Sequence, residues 1–365
     1  MKSVLIDARE SGTSTGRYID KLIEHLAKLN PSLKVMVITK SHRIKHFNMV
    51  APNFQIIRSD IKEFTFKEQL GLLKQIWLLK PDLVHFGMVQ QPIFYPGLVV
   101  TTIHDLTTLR FNNPDKNPVI FKFKQRVYKE VVKIALKKSK VIITPSIYTK
   151  SDLDQFSEIN ISKIKVVYEA ADKIMVPAKK IKILENKPYI FYVGRPTPHK
   201  NLNRLIDAFG LVLKKRPDLS LVLAGRLDAN YRRLEEYVKK QRVQNVIFLG
   251  FVEDGELKWL YENTLSYVFP SLSEGFGLPS LEAMVLGAPV VSSNATCLPE
   301  INGDAALYFD PLSVLDMSEK ILMMVNEKAL RTKYIKLGQV QAAKYSWDKT
   351  AKETLAVYQQ VLGVI

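Results

Sequence analysis

Short runs of β-branched and apolar residues, each followed by a longer stretch of helical period, recur along this chain, and no other feature narrows its fold as much. Strands are expected at Ser3–Ala8, Lys34–Thr39, Phe54–Arg58, Leu83–Phe86, Leu98–His104, Val141–Pro145 and Lys165–Tyr168. The second half repeats the plan at Tyr189–Val193, Leu219–Ala224, Val246–Phe251, Ser266–Pro270, Pro289–Ser292 and Ala306–Phe309. GRYIDKLIEHLAKL sets Tyr18, Leu22, Leu26 and Leu29 on one stripe of a helix starting near Gly16. Further helices are expected at Asn203–Lys215, Ala229–Arg242, Glu253–Glu262, Ser280–Leu286 and within Ser313–Leu362. A strand reached through a helix from the strand before it runs parallel to that strand, and a parallel sheet needs helices on both faces. The fold class is therefore α/β. A single core rarely supports more than about 250–300 residues, so 365 residues call for two such doubly wound domains.

The stretch DKIMVPAKKIKILENK, Asp172–Lys187, breaks the β pattern with lysines and a proline. Residues 1–172 are expected to form one domain, 173–187 a linker, 188–345 a second domain, and 346–365 a last helix packing back on the first. Ligands of such sheets bind beyond the carboxyl ends of the strands, which points to the cleft between the two domains.

SEGFGLPSLEAMVLGAPVV, Ser273–Val291, follows one of those strand ends. Gly275 and Gly277 let backbone approach a ligand, and amides at the start of the following helix favour phosphate. Ser280 is a candidate N-cap, and Glu282 falls in the first turn, where a carboxylate can accept two hydrogen bonds from a ribose diol. An isolated acid there would only complement the helix dipole; the preceding strand and the two glycines tip the reading towards a nucleotide. In YVGRPTPHKNLNRLIDAF, Tyr192–Phe209, Arg195 and Lys200 sit just past another strand end, suited to a diphosphate that gains charge as it leaves. Taken alone they would read as two solvated cations among 53, and His199 between them reads as structural.

SGTSTGRY, Ser11–Tyr18, follows the first strand, and Gly12 and Gly16 suit a loop passing close to phosphate or sugar. Neither Gly-x-Gly-x-x-Gly nor Gly-x-x-x-x-Gly-Lys-[Ser/Thr] is present. His104 and Asp105 close the strand LVVTTI; a sugar contact or proton handler at His104, and a histidine that only bonds nearby backbone, both remain open. Asp152 and Asp154 spell Asp-Leu-Asp inside a helical pattern, and six scattered histidines with one cysteine, Cys297, form no zinc pattern, so no metal site is expected. Cys297 reads as a small buried apolar residue. Two sequons, at Asn160 and Asn294, read as idle without a secretory signal.

Charge is uneven: residues 1–185 carry +14 and 186–365 only +3. Such a field attracts nucleic acid, anionic lipid or phosphorylated small molecules. Lys116–Lys140 holds nine Lys and Arg against one acid, with Val127, Val131, Ile134 and Ala135 at helical spacing. It reads either as a cationic helix on an anionic membrane surface or as the exposed face of a core helix. A nucleic-acid binder would need aromatics among the cations and would leave the acid–glycine cluster idle. MKSVLIDARE is too short in apolar residues for a signal peptide, and no run reaches the ~18 residues of a spanning helix, so a cytoplasmic home, with peripheral contact to the inner face of the membrane, is expected.

These residues resemble those of a retaining glycosyltransferase of family 4, whose GT-B fold sets two Rossmann-like domains facing across a cleft. The likeness spans nearly the whole chain. Glu274 to Glu282, with Gly-Phe-Gly-Leu-Pro between, resembles the family's Glu-x7-Glu motif; YVGRPTPHKN resembles its glycine–arginine and lysine segment; TIHDL and TSTGRY resemble elements of its mannosyltransferase-like members. The resemblance implies that Glu282 binds the ribose, Glu274 contacts donor-sugar hydroxyls, and Arg195 and Lys200 hold the diphosphate. The backbone at Gly275, Phe276, Gly277 and Leu278 would line the donor site, His104 would approach the transferred sugar, and Gly16 would mark the loop where diphosphate and acceptor meet. It implies no cofactor and no metal, only a nucleotide-sugar donor and a glycan or lipid-linked acceptor. Retained transfer of mannose from GDP-mannose is the leading expectation; UDP-glucose or UDP-N-acetylglucosamine is the alternative donor, and a non-catalytic sugar-nucleotide or nucleic-acid binder the alternative class. Two departures stand out. Ser14-Thr15-Gly16 replaces a common Gly-x-Gly, and Glu169-Ala170-Ala171-Asp172 replaces a common Asn-Gly turn.

Overall fold

The computed structural model describes the chain except for Ser14, 48–50, 112–117, Glu158, Ile365 and the side chain of Pro118. Its strands form two wholly parallel sheets. The first runs β3-β2-β1-β4-β5-β6-β7, built from β1 (Ser3–Asp7), β2 (Lys34–Thr39), β3 (Phe54–Arg58), β4 (Leu83–Phe86), β5 (Leu98–Thr102), β6 (Val141–Thr144) and β7 (Ile164–Val166). The second runs β10-β9-β8-β11-β12-β13, from β8 (Tyr189–Val193), β9 (Ser220–Ala224), β10 (Val246–Gly250), β11 (Ser266–Phe269), β12 (Val290–Ser293) and β13 (Ala306–Phe309). Val4, Leu5 and Ile6 of β1 are buried in succession rather than alternately, because helices cover both faces of the sheet. The order reverses between β1 and β4 and again between β8 and β11. These two places are the switch points of Rossmann-like domains, where strand ends splay apart and leave room for a ligand.

The chain groups into two compact units. One holds Met1–Leu109, Lys122–Glu169 and the chain from Ser346; the other holds Ala170–Tyr345 with the described residues of 110–121. The last helix, Trp347–Leu362, is capped by Ser346, whose side chain accepts from the Lys349 amide. It is tied into the first unit by Asp348 to His25 (2.6 Å), Tyr358 to His85 (2.6 Å) and the Thr350 hydroxyl to the Tyr168 carbonyl (2.6 Å).

Most strands match expectation to within a residue or two; β5 stops at Thr102, short of His104, and β7 is Ile164–Val166. Two helices add to the sequence reading. Pro118–Lys138 buries Val132, Ala135 and Leu136 against Ile103, Ile142 and Ile164, whereas Val127 and Ile134 of the helically spaced apolar set face out. Lys116 and Asn117, the start of the basic segment, lie outside the described residues. The helix Leu73–Leu79, entered through a π-turn at Glu68–Leu72, was not expected at all. Its sequence is apolar on both sides, so no polar contrast marks its period. Among the described residues no helix is long and apolar enough to cross a membrane.

Candidate functional site

In the second unit, β8 runs into Gly194 and Arg195, and the chain turns through Pro198–Lys200 into the helix Leu202–Leu213. Asn201 pins this loop: its buried side-chain amide donates to the carbonyls of Pro270 (3.0 Å) and Pro311 (2.8 Å). The Leu272 amide donates back to the His199 carbonyl (2.7 Å). The loops after β8 and β11 are thereby held together, and with them Lys200 and Glu274. Lys200 Nζ lies 2.5 Å from Glu274 Oε1, their side chains 19% and 13% exposed, and 5.8 Å from the Phe269 ring centroid. Glu274 is fixed from behind. Its amide donates to Thr296 Oγ1 (3.1 Å) and its carbonyl accepts from Cys297 Sγ (3.3 Å). Buried Cys297 is thus a fastener, its thiol pushed well up by burial and by Glu274.

Arg195 stands exposed, its Nε donating to Asp228 Oδ2 at 2.7 Å. Asp228 Oδ1 also caps the helix Ala229–Gln241 through the amides of Asn230 and Tyr231. Burial works against that carboxylate, but Arg195 and the two amides outweigh it and hold its pKa below the ordinary range.

The helix after Glu274 begins at Leu278, not Ser280. Pro279, with its φ preset for a first turn, moves the start back. Gly277 takes the cap position at φ +98°, and a Cβ there would meet Leu298 at 2.7 Å, so only glycine fits. Ser280 is therefore inside the helix rather than its N-cap, its hydroxyl 2.8 Å from the Gly277 carbonyl and 2.7 Å from Asn302 Oδ1. Glu282 lies beyond the first turn, buried, with the Tyr261 hydroxyl donating to Oε2 at 3.4 Å. Phe276 packs its ring edge-on against Tyr345.

Gly16 and His104 belong to the first unit. A cleft of ≈ 330 Å³, counted to its open mouth, lies at the β1–β4 switch point, lined by Asp7, Arg9, Glu10, Gly16, Glu63 and Gly87 among others. A Cβ on Gly16 would fall 1.8 Å from the Glu10 carbonyl oxygen. The loop closes on itself too tightly for any other residue. Beneath it, buried Arg9 clasps Asp7 (2.7 Å) and Glu68 (2.7 Å). Burial alone would lower the Arg9 pKa, but those two carboxylates raise it, so the guanidinium keeps its charge.

His104 has both ring nitrogens engaged by acceptors: Nδ1 is 2.8 Å from Glu169 Oε1, and Nε2 is 3.1 Å from the Gly87 carbonyl. Burial opposes the imidazolium, but Glu169, Asp105 and the Gly87 carbonyl prevail and raise the pKa above the ordinary histidine value. His104 thus bonds backbone, as one of its two open readings had it, and also faces an acid. Sequence reasoning passed over that acid, Glu169, as a departure from a turn. It also missed Asp228, Arg9 and Glu68. The one available signal for Arg9 was a charged residue directly after a buried strand.

A family model described as Glycosyltransferase Family 4 matches residues 15–173, and one described as Glycosyl transferases group 1 matches residues 177–341. The chain is 32% identical over 307 residues to O-antigen chain mannosyltransferase B of Escherichia coli, covering 78% of this chain and 77% of that one. It is 27% identical over 320 residues to O-antigen chain mannosyltransferase RfbU of Salmonella typhimurium, covering 83% and 84%. Among solved structures, sucrose-phosphate synthase from Thermosynechococcus elongatus is similar over the full length of both chains, with a TM-score of 0.78 at 18% identity.

Proposed function

The chain belongs to glycosyltransferase family 4 and is a hexosyltransferase of GT-B fold, and from that premise we propose that it moves mannose from GDP-mannose, with retained configuration, to a glycan or lipid-linked acceptor. The observation that carries the reading is the Lys200–Glu274 ion pair at the β8–β11 switch point, with Arg195 in the same loop after β8. A nucleoside diphosphate needs fixed cations beyond strand ends, next to amides that can approach closely. Lys200, Arg195 and the Gly275–Leu278 backbone supply them. Glu274 then meets sugar hydroxyls and Glu282 the ribose. Mannose is favoured because both relatives named above are mannosyltransferases.

In this mechanism the acceptor attacks the face from which the diphosphate departs, and the leaving oxygen takes the acceptor's proton. Lys200 and Arg195 stabilise the charge that develops there, and hydrogen bonds to charge that grows in the transition state lower the barrier directly. The reading assigns no metal, since these two cations meet the diphosphate charge. On this reading His104, held in one orientation by Glu169 and the Gly87 carbonyl, approaches the transferred sugar. The cleft at Gly16 is edged by Glu10 and Glu63, acceptors suited to the hydroxyls of a glycan. A single cysteine fits a reducing cytoplasm as the place of reaction.

A melting screen against GDP-mannose, GDP, UDP-glucose, UDP-N-acetylglucosamine and ADP tests the donor. A true donor at a hundred times its dissociation constant adds about 2.7 kcal/mol, a rise of several degrees for domains of this size. Stabilisation by the UDP sugars alone would replace mannose with glucose or N-acetylglucosamine. Stabilisation by none would remove the donor-site assignment.

A further inference from the structure

We propose that the first unit rests on an anionic bilayer through one composite surface, in which Phe64–Leu78 forms an apolar wedge and the helical stretch from Lys122 to Lys138 a cationic flank. The inference stands apart from the donor reading, whose screen uses no lipid, so either can fail without the other.

The wedge is the helix that the sequence did not reveal. Leu72 and Ile76 turn inward onto Leu5, Val84 and Phe86. On the other side Leu70, Trp77 and Leu78 are exposed, Trp77 to 68%, and the turn before them carries exposed Phe64 and Phe66, the latter to 93%. Exposed Phe94 extends the group. Single exposed apolar residues are ordinary; a cluster of six large ones, four of them aromatic, signals an interaction surface.

Hydrogen bonds and a ring contact join this wedge to the long helix. The Gln69 side chain donates to the Gln91 carbonyl (3.0 Å) and accepts from the Ile93 amide (2.9 Å), holding the loop that bears Phe94. Lys138 Nζ donates to the Pro92 carbonyl (3.0 Å) in the same loop, from the end of Pro118–Lys138. The Phe64 ring lies 6.2 Å from Tyr128, midway along that helix. Phe123, Val127 and Ile134, all exposed, share a stripe there at steps of four and seven.

Charge decides what covers this surface. Between 62 and 80 both acids are buried and paired, Glu63 with Lys40 and Glu68 with Arg9, while Lys62, Lys67, Lys74 and Lys80 are exposed. On the long helix Lys122, Lys124, Arg126, Lys129, Lys133 and Lys137 are exposed around a single acid, Glu130. A second copy would set cations against cations. An anionic bilayer takes aromatic and leucine side chains at its interface and lysines at its headgroups.

Trp77 provides the test, because Trp347 is buried and Trp259 lies in the other unit. The protein should sediment with phosphatidylcholine–phosphatidylglycerol vesicles and not with phosphatidylcholine alone, and its emission should shift to the blue on binding unless Trp77 is changed to Phe. Leu70→Glu with Trp77→Glu should weaken vesicle binding at least tenfold, with the melting temperature and turnover on a soluble acceptor unchanged. Lys122→Glu, Lys124→Glu and Lys129→Glu should each cost roughly fivefold or more. Absence of sedimentation would overturn the proposal, and so would sedimentation with Trp77 emission unmoved. A blue shift that grows with protein concentration in the absence of lipid would assign the surface to a second copy instead.

Discussion

Replacing Lys200 by Met and Glu274 by Gln, singly and together, tests whether the candidate site rests on one ion pair. The two side chains lie 2.5 Å apart and are mostly shielded from water, at 19% and 13% exposure. A charge-assisted hydrogen bond of this kind contributes about 1.5–3 kcal/mol. Water still reaches both groups, so the cost of stranding one should fall short of the ~3–5 kcal/mol of a fully buried pair. Each single substitution is expected to destabilise the second unit by about 2 kcal/mol, and the double by little more, a coupling of about 2 kcal/mol. Urea unfolding followed through Trp259, the tryptophan of that unit, gives the four free energies. Function should split the two partners. Lys200→Met should weaken binding of the nucleoside diphosphate, whereas Glu274→Gln should strengthen it, because Lys200 is then no longer shared with a carboxylate. Free energies that add to within about 0.5 kcal/mol would mean the pair does not hold in solution, and the partner-exchange reasoning would fall with it.

Glu282→Ala should lower nucleotide affinity at least tenfold, as expected for a lost charged hydrogen-bond acceptor, while the chain still folds. Calorimetry that finds the affinity unaltered would remove the ribose role. His85 is buried between the Tyr358 hydroxyl (2.6 Å) and the Thr102 hydroxyl (2.8 Å), and burial, then the nearby His104 charge, pushes its pKa down to about 3. The unfolded chain takes up that proton first, near pH ~6.5, so stability is full above that value and drains as pH falls towards 3, by up to about 1.4 kcal/mol per pH unit. The melting temperature of His85→Gln should fall less steeply between pH 6 and pH 4 than that of the unaltered chain, and equal slopes would refute the assignment.

What could be read from sequence was whatever depends on short range. Parallel strand direction followed from the alternation of strands and helices, and the loops bearing Arg195, Lys200 and Glu274 were found because they follow buried runs. The partners of the charges were not legible. Asp228 stands 33 residues from Arg195, Glu169 65 from His104, and Glu274 74 from Lys200; pairing over such distances depends on which strand ends meet, and local pattern is silent on that. Pro279 explains a smaller miss, since its fit to a helix's first turn outweighed the capping preference of Ser280. The wedge helix was invisible for the reason that makes it informative: a segment apolar on both faces has no period to detect, yet only one of its faces is used by the core. The charge pairs carry a consequence for function that no motif contains. Arg195 and Lys200 are each paired with a carboxylate, Asp228 and Glu274, so on the proposed reading a diphosphate binds by exchange. It gains two positioned cations whose ordering cost is already met, and loses the part of their attraction that each carboxylate keeps.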